Sequence, residues 1–221
     1  MDTNELIRYT PKLLTPLDGY IQTTVPQKFR NKILSEINTS TKSMNKNLIG
    51  HIKNQTMLVK LKDDKEWIEY IKQVCEAFSL QFQPNTKVIA DLLADNSFID
   101  SLTLDQPWVN KMKKTEFNPF HNHRGLYSYV IWVKIPYDIE DEKNYFPDPN
   151  YVVTSTFSFI VACDKGLVQH SIEVDKNYEW EMVLFPATLW HGVYPFFTSE
   201  EERVSVAGNV LYKPNKQTAN I

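Results

Sequence analysis

Five histidines occur among the 221 residues, and three stand where they could act on one ligand. His121 and His123 flank Asn122. On a β-strand, residues i and i+2 face the same side, so both imidazoles can meet one metal ion. Gly125 follows, which puts the pair at a strand end beside a turn. His191 comes later, in Phe185-Pro186-Ala187-Thr188-Leu189-Trp190-His191-Gly192-Val193, where a Pro-containing turn leads into a strand. Beyond it stand Arg203 and Ser205, again two apart. A guanidinium binds a carboxylate bidentately and a neighbouring hydroxyl adds a donor. The pair suits the far end of a dicarboxylate whose near end ligates the metal. The competing reading of Arg203 is a loop salt bridge, because Glu200, Glu201 and Glu202 precede it. His51 and His170 have no partner at ligand spacing and read as surface residues.

The elements that must position these residues change character near residue 95. Before it, helical patterns dominate. Pro26 suits a first helical position, and Phe29, Ile33, Leu34 and Ile37 follow on one face. Asn38 to Asn47 reads as a loop. A second helix is capped by Asp63 or Asp64 and buries Trp67, Ile71, Val74, Cys75 and Phe78. Val88, Ile89, Leu92 and Leu93 predict a third, short helix. After residue 95 the strands predicted are Leu126–Ile135, Tyr151–Ala162, Leu167–Val174, Trp180–Phe185 and Val204–Leu211, separated by Gly, Pro, Asn and Asp. Evenly spaced short strands predict a mainly β fold with flanking α-helices, an antiparallel sandwich or jelly roll. Such a fold brings strand ends distant in sequence to one mouth. The expected organisation is a single domain over 1–221, with helical support from 1–95, a β core over 96–212 and a polar tail at 213–221. The acidic run Asp138 to Glu142 reads as a flexible loop over the site entrance.

Composition excludes other classes. Hydrophobic residues make up 42% and aromatic residues 13%, enough for an ordered core. Lys and Arg total 24 against 27 Asp and Glu, a net charge of -3, so no strong nucleic-acid binding is expected. Cys75 and Cys163 are too far apart for a zinc knuckle and read as reduced thiols. Met1-Asp2-Thr3-Asn4-Glu5 carries no basic segment, and no run is long enough to span a membrane, so a cytoplasmic protein is expected. A homodimer is the default assembly.

The sequence resembles the iron(II)- and 2-oxoglutarate-dependent oxygenases, especially a phage-borne branch with a His-x-His motif. The residues that carry the likeness are Trp108-Val109-Asn110, Glu116 to His123, Ser128 to Pro136, Leu184-Phe185-Pro186, His191 to Phe196 and Arg203 to Asn209. The resemblance implies a double-stranded β-helix, the cupin-like jelly roll. It implies iron(II) on His121, His123 and His191 as the catalytic centre. It implies 2-oxoglutarate as a small-molecule cosubstrate, with Arg203, Ser205, Ser128 and Tyr129 as its contacts. The implied reaction is a dioxygenase's: O2 is consumed, 2-oxoglutarate leaves as succinate and CO2, and an unidentified substrate is hydroxylated. A phage-encoded chain would work in the host cytoplasm.

One position departs from the commonest pattern of that family, His-x-Asp with a distal histidine. His123 stands where the carboxylate would be. Fe2+ with one carboxylate and a 2-oxoglutarate dianion nets -1, whereas three neutral imidazoles bring the sum to zero. Asp138 and Glu116 stay open as alternative third ligands. So does a three-His, cupin-like dioxygenase whose substrate chelates iron itself without any oxoacid, and so does a non-catalytic jelly roll.

Overall fold

The structure is a computed structural model that describes residues 7–15, 19–43, 49–82 and 97–213. The helix predicted around Val88 to Leu93 lies outside the described residues. The chain forms two antiparallel sheets with helices against one of them. Its strands are β1 Thr10–Leu13, β2 Gly19–Thr24, β3 Asn54–Met57, β4 Leu102–Leu104, β5 Trp108–Met112, β6 Asn118–His121, β7 Tyr127–Lys134, β8 Thr156–Cys163, β9 Gly166–Glu173, β10 Glu181–Pro186, β11 Trp190–Val193 and β12 Arg203–Tyr212. The large sheet runs β1-β2-β10-β7-β12-β5-β3, with β4 also on β12; the small sheet runs β6-β11-β8-β9.

No strand ladder joins the two sheets among the described residues. The fold is therefore the expected layering of antiparallel sheets with flanking helices, but the two sheets do not close into a double-stranded β-helix barrel. The mismatch in width explains this: eight strands face four, and β6 and β11 are only four residues each. The excess comes from β1, β2 and β3, which lie in the stretch whose pattern is helical. β1 is exposed throughout and β3 reads Asn-Gln-Thr-Met, so neither carries the alternation of a half-buried strand. Pairing partners made them strands, not their own propensity.

The helices behave largely as their patterns predict. Helix α1 (Gln27–Thr39) buries Phe29, Ile33 and Ile37, but Leu34 is exposed and Glu36 is buried in its place. The Glu36 carboxylate accepts from the backbone N–H groups of Lys60 (2.6 Å) and Leu61 (2.9 Å), which start helix α2 (Val59–Asp63). Helix α3 (Lys65–Phe82) begins at Asp64, whose carboxylate accepts from the Trp67 N–H at 2.9 Å. All five residues of its predicted stripe are buried.

Two cores result. One lies between the large sheet and the helices, and holds Trp67, Phe78, Tyr127, Tyr129, Ile131 and Val206. The other lies between the sheets, and holds Val130, Trp132, Phe157, Phe159, Phe185 and Phe196. Strand β7 feeds both by simple alternation. The acidic run is not a lid. Asp138 caps a helix over Ile139–Asn144 by accepting from the Glu140 N–H at 2.9 Å, and Glu142 is fully buried.

Candidate metal centre

Register builds the centre. Strand β11 pairs with β6 so that His191 lies directly opposite His121. His123 follows two residues after β6 ends, and its N–H donates to the Ala187 carbonyl at 2.8 Å, across the turn that precedes β11. Gly125, at φ 124°, then lets the chain swing back into β7. The result brings ligand atoms of all three histidines within 4.8 Å of one another.

The tautomers are set by hydrogen bonds of one kind. Nδ1 of His121 donates to the Pro119 carbonyl at 2.7 Å, and Nδ1 of His191 to the Leu189 carbonyl at 2.9 Å. With Nδ1 protonated, each ring keeps its lone pair on Nε2, the state a metal ligand requires. Burial lowers all three pKa values. His121 is lowered by burial against the opposing pull of its Pro119 contact. His123 falls to about 4, through burial and then through His121. His191 falls to about 3, again through burial first and His121 second. The trio is neutral at pH 7 and ready to bind a cation. This donor set fits a divalent metal, and three ligands leave coordination positions open.

No carboxylate joins the cluster among the described residues. Asp138 caps its helix, and Glu116 accepts from the backbone of Lys53 and Lys113. This corrects the expectation of a 2-oxoglutarate-dependent dioxygenase. Three neutral imidazoles leave a metal its whole double charge, so the two-His-one-carboxylate centre that defines the common 2-oxoglutarate site is absent. The all-histidine ligand set argues against 2-oxoglutarate as cosubstrate, and with it against the release of succinate and CO2. An iron-dependent oxidoreductase with a three-His centre fits the ligand set instead.

Beside the centre lies a cavity of about 50 Å³, lined by the three histidines and, further in, by Trp108, Asn110 and Arg203. Arg203 is 3% exposed. The glutamates before it pair elsewhere, Glu200 with Lys114 and Glu201 with Lys134, so Arg203 is no loop salt bridge. It donates to the Tyr137 hydroxyl (2.8 Å), the Met112 sulfur (2.9 Å) and the Tyr194 carbonyl (3.2 Å). All three are neutral, and two of the five guanidinium N–H groups are left over. Ser205 also lines the cavity. Ser128 faces the same side and donates to Asn209 Oδ1 at 2.7 Å. Tyr129 also borders the cavity, but its ring packs in the helix-side core against Trp67, with centroids 6.0 Å apart. His51 is exposed and stacks on Phe117.

Three residues near the site were not assigned a role from sequence. Asn110 and Gln55 line the cavity, and Glu142 sits behind Arg203 and Tyr137. Asn110 was visible within Trp108-Val109-Asn110. Gln55 and Glu142 carried no signal of their own.

The fold and the histidine-rich centre are similar to those of the 2OG-Fe(II) oxygenases. Residues 106–209 match the family described as "Putative 2OG-Fe(II) oxygenase". Among solved structures, a prolyl-4-hydroxylase from Pseudomonas putida superposes with a TM-score of 0.50 at 12% identity, covering 90% of this chain and 94% of that one. A prolyl hydroxylase from Trichoplax adhaerens, in complex with a hypoxia inducible factor peptide fragment, gives 0.47 at 10%, covering 91% and 86%. At 12% identity the likeness to the Pseudomonas putida enzyme speaks for the fold alone. No curated protein matches the chain. No helix among the described residues is long and apolar enough to cross a membrane.

Proposed function

We propose that the chain is an iron-dependent dioxygenase of the three-His, cupin-like kind, whose substrate ligates the metal itself. The observation that carries this is the cluster of His121, His123 and His191 with no carboxylate among its members. Bound iron would supply O2 activation at the open positions of that centre. The protein's residues do the rest. The Pro119 and Leu189 carbonyls hold two imidazoles in the ligating tautomer. The apolar core between the sheets keeps bulk water away. Arg203 and Ser205 anchor an anionic end of the substrate, with Ser128 completing that side of the wall. We read the two layered sheets as an open variant of the double-stranded β-helix, in the His-x-His branch, and place the protein in the cytoplasm, the host's if it is phage-encoded.

Two measurements test this. The metal-free protein is loaded anaerobically with iron(II) and then given 2-oxoglutarate while the visible spectrum is followed. No charge-transfer band is expected, and a band that needs both would overturn the proposal. In parallel, O2 uptake is screened with small metal-chelating acids in the absence of any oxoacid. Uptake that is lost in His191→Ala is the expected result.

A further inference from the structure

Most strands at the margins of the two sheets are short. β1, β3 and β6 have four residues each and β4 has three. β1 also carries Pro11 and Lys12, β6 carries Pro119, and Ser43 bridges to Thr56 of β3. Short strands, prolines and edge charges keep a sheet margin from pairing with another chain.

Strand β9 has none of these protections. It is eight residues long, and its ladder with β8 runs without a bulge from Gly166 to Glu173. Its other side meets no strand among the described residues. From Gly166 to Ile172 it holds no proline, lysine, arginine or carboxylate. Leu167 pairs with Ala162, on the opposite face of the sheet from Phe157 and Phe159, so it points away from the core. At 78% it is the most exposed large hydrophobic side chain among the described residues.

The charges lie at the two ends of β9, and their signs differ. Lys165 precedes the strand and Glu173 closes it. Lys143 donates to Glu173 Oε2 at 2.9 Å, which leaves Oε1 for a second cation. Two such strands laid antiparallel about a two-fold axis at Gln169 set Lys165 of each copy opposite Glu173 of the other. The same register sets Leu167 opposite Ser171 and Val168 opposite His170, so no like charges meet. A parallel pairing in register would instead set lysine beside lysine and glutamate beside glutamate, which is unfavourable.

We infer that β9 is a dimer interface: two copies of the chain pair through antiparallel β9 strands centred on Gln169, joining their small sheets into one. The occupant is a second copy because the edge is complementary to itself. Each end supplies the charge that the other end of the same sequence needs, as a two-fold contact requires. β8 stands between β9 and β11, so the pairing leaves the strand that carries His191 untouched.

The test is sedimentation equilibrium of the full chain across the micromolar range, where a reversible monomer–dimer equilibrium is expected. Lys165→Glu turns two attractive pairs into two repulsive ones and should weaken the dimer about tenfold. Adding Glu173→Lys reverses both ends and should restore it. Cross-linking checks the register in a Cys163→Ser background, which removes the exposed native thiol. There Gln169→Cys sets two thiols across the axis, where paired Cα atoms lie about 4.5–5.5 Å apart and can form a disulfide. Mild oxidation should yield a covalent dimer of Gln169→Cys and little of Leu167→Cys, whose opposite residue is Ser171. A chain that stays monomeric throughout, or a dimer unmoved by Lys165→Glu, overturns the inference. So does cross-linking that is no faster at residue 169 than at residue 167.

Discussion

Acid should destabilise the metal-free protein, and the centre itself sets the amount. His123 and His191 are held neutral by burial, with pKa values of about 4 and about 3. In the unfolded chain each returns to roughly 6.5. A group whose folded pKa is depressed contributes fully above its unfolded pKa, and the contribution is lost as pH falls toward the folded value. Between pH 7.5 and pH 5 the unfolded imidazoles take up protons while the folded ones do not. That difference costs about 2 kcal/mol for each residue, or about 4 kcal/mol for the pair. The figure hardly depends on the folded values, because both lie at least a unit below pH 5. His121 is shifted in the same direction. Against a net stability of about 5–15 kcal/mol, such a loss is large. For a chain of this length it lowers Tm by about 8–16 °C.

The assay is denaturation of the metal-free protein at pH 7.5 and pH 5.0, by urea and by heat, beside a His191→Asn variant. The variant lacks one titrating group, so its pH-dependent loss should be about 2 kcal/mol smaller than the parent's. Other groups that titrate in this range cancel in that comparison. A parent loss below about 1 kcal/mol, or equal losses in parent and variant, would refute the claim that the fold holds these imidazoles neutral.

Two further substitutions probe the scaffold. Glu142→Ala strips the acceptor from the N–H groups of Phe197 and Thr198 and from the hydroxyls of Thr154, Ser155 and Thr198, so urea unfolding should show a loss of about 3 kcal/mol or more; a loss under 1 kcal/mol would remove Glu142 from its structural role. Gly208→Ala places a methyl inside van der Waals contact with the Tyr129 phenol, which is fixed in the helix-side core, and should cost about 1–3 kcal/mol in the same assay; an unchanged midpoint would mean that the ring can move aside.

What the sequence revealed followed from whether a pattern was local. Strands β7, β8, β9, β10 and β12 were legible because each is a run of aromatic and β-branched residues between turn signals. β1 and β3 were not, since their side chains are polar or exposed and only the neighbouring strand makes them strands. The face of β7 was also hidden. Val130 and Trp132 on one side are as apolar as Tyr127, Tyr129 and Ile131 on the other, so periodicity could not say which face meets the cavity. Ser128 and Tyr129 both border the cavity, while the Tyr129 ring turns to the helices. The histidines were legible through their i, i+2 spacing and His191. The absence of a carboxylate was not, because Asp138 and Glu116 became spoken for only once their hydrogen bonds were known. Glu142 was the most deceptive. In an acidic run it reads as solvated, yet it is the one member of that run that the fold seals in.

That sealed carboxylate bears on what the cavity can accept. Burial pushes the Glu142 carboxyl up, but donors from Thr198, Phe197 and Ser155 outweigh burial and hold it below the usual range, so it stays ionised. Tyr137 stands between it and Arg203. Burial raises that phenol, Arg203 pulls it down and Glu142 pushes it up again. Glu142 and Arg203 thus act on the same buried phenol, to which Arg203 donates at 2.8 Å. The Glu142 oxygens are filled by protein donors, however, and present nothing to the cavity. On the cavity side Arg203 meets only neutral groups, and at the other end three neutral imidazoles would leave a divalent ion its full charge. Positive charge at both ends of a small, largely apolar cavity favours a ligand with an anionic group at each end, and the same field penalises neutral molecules of equal size. Neutralising one end should therefore weaken diacids far more than monoacids, a selectivity that a carboxylate among the metal ligands would have blunted.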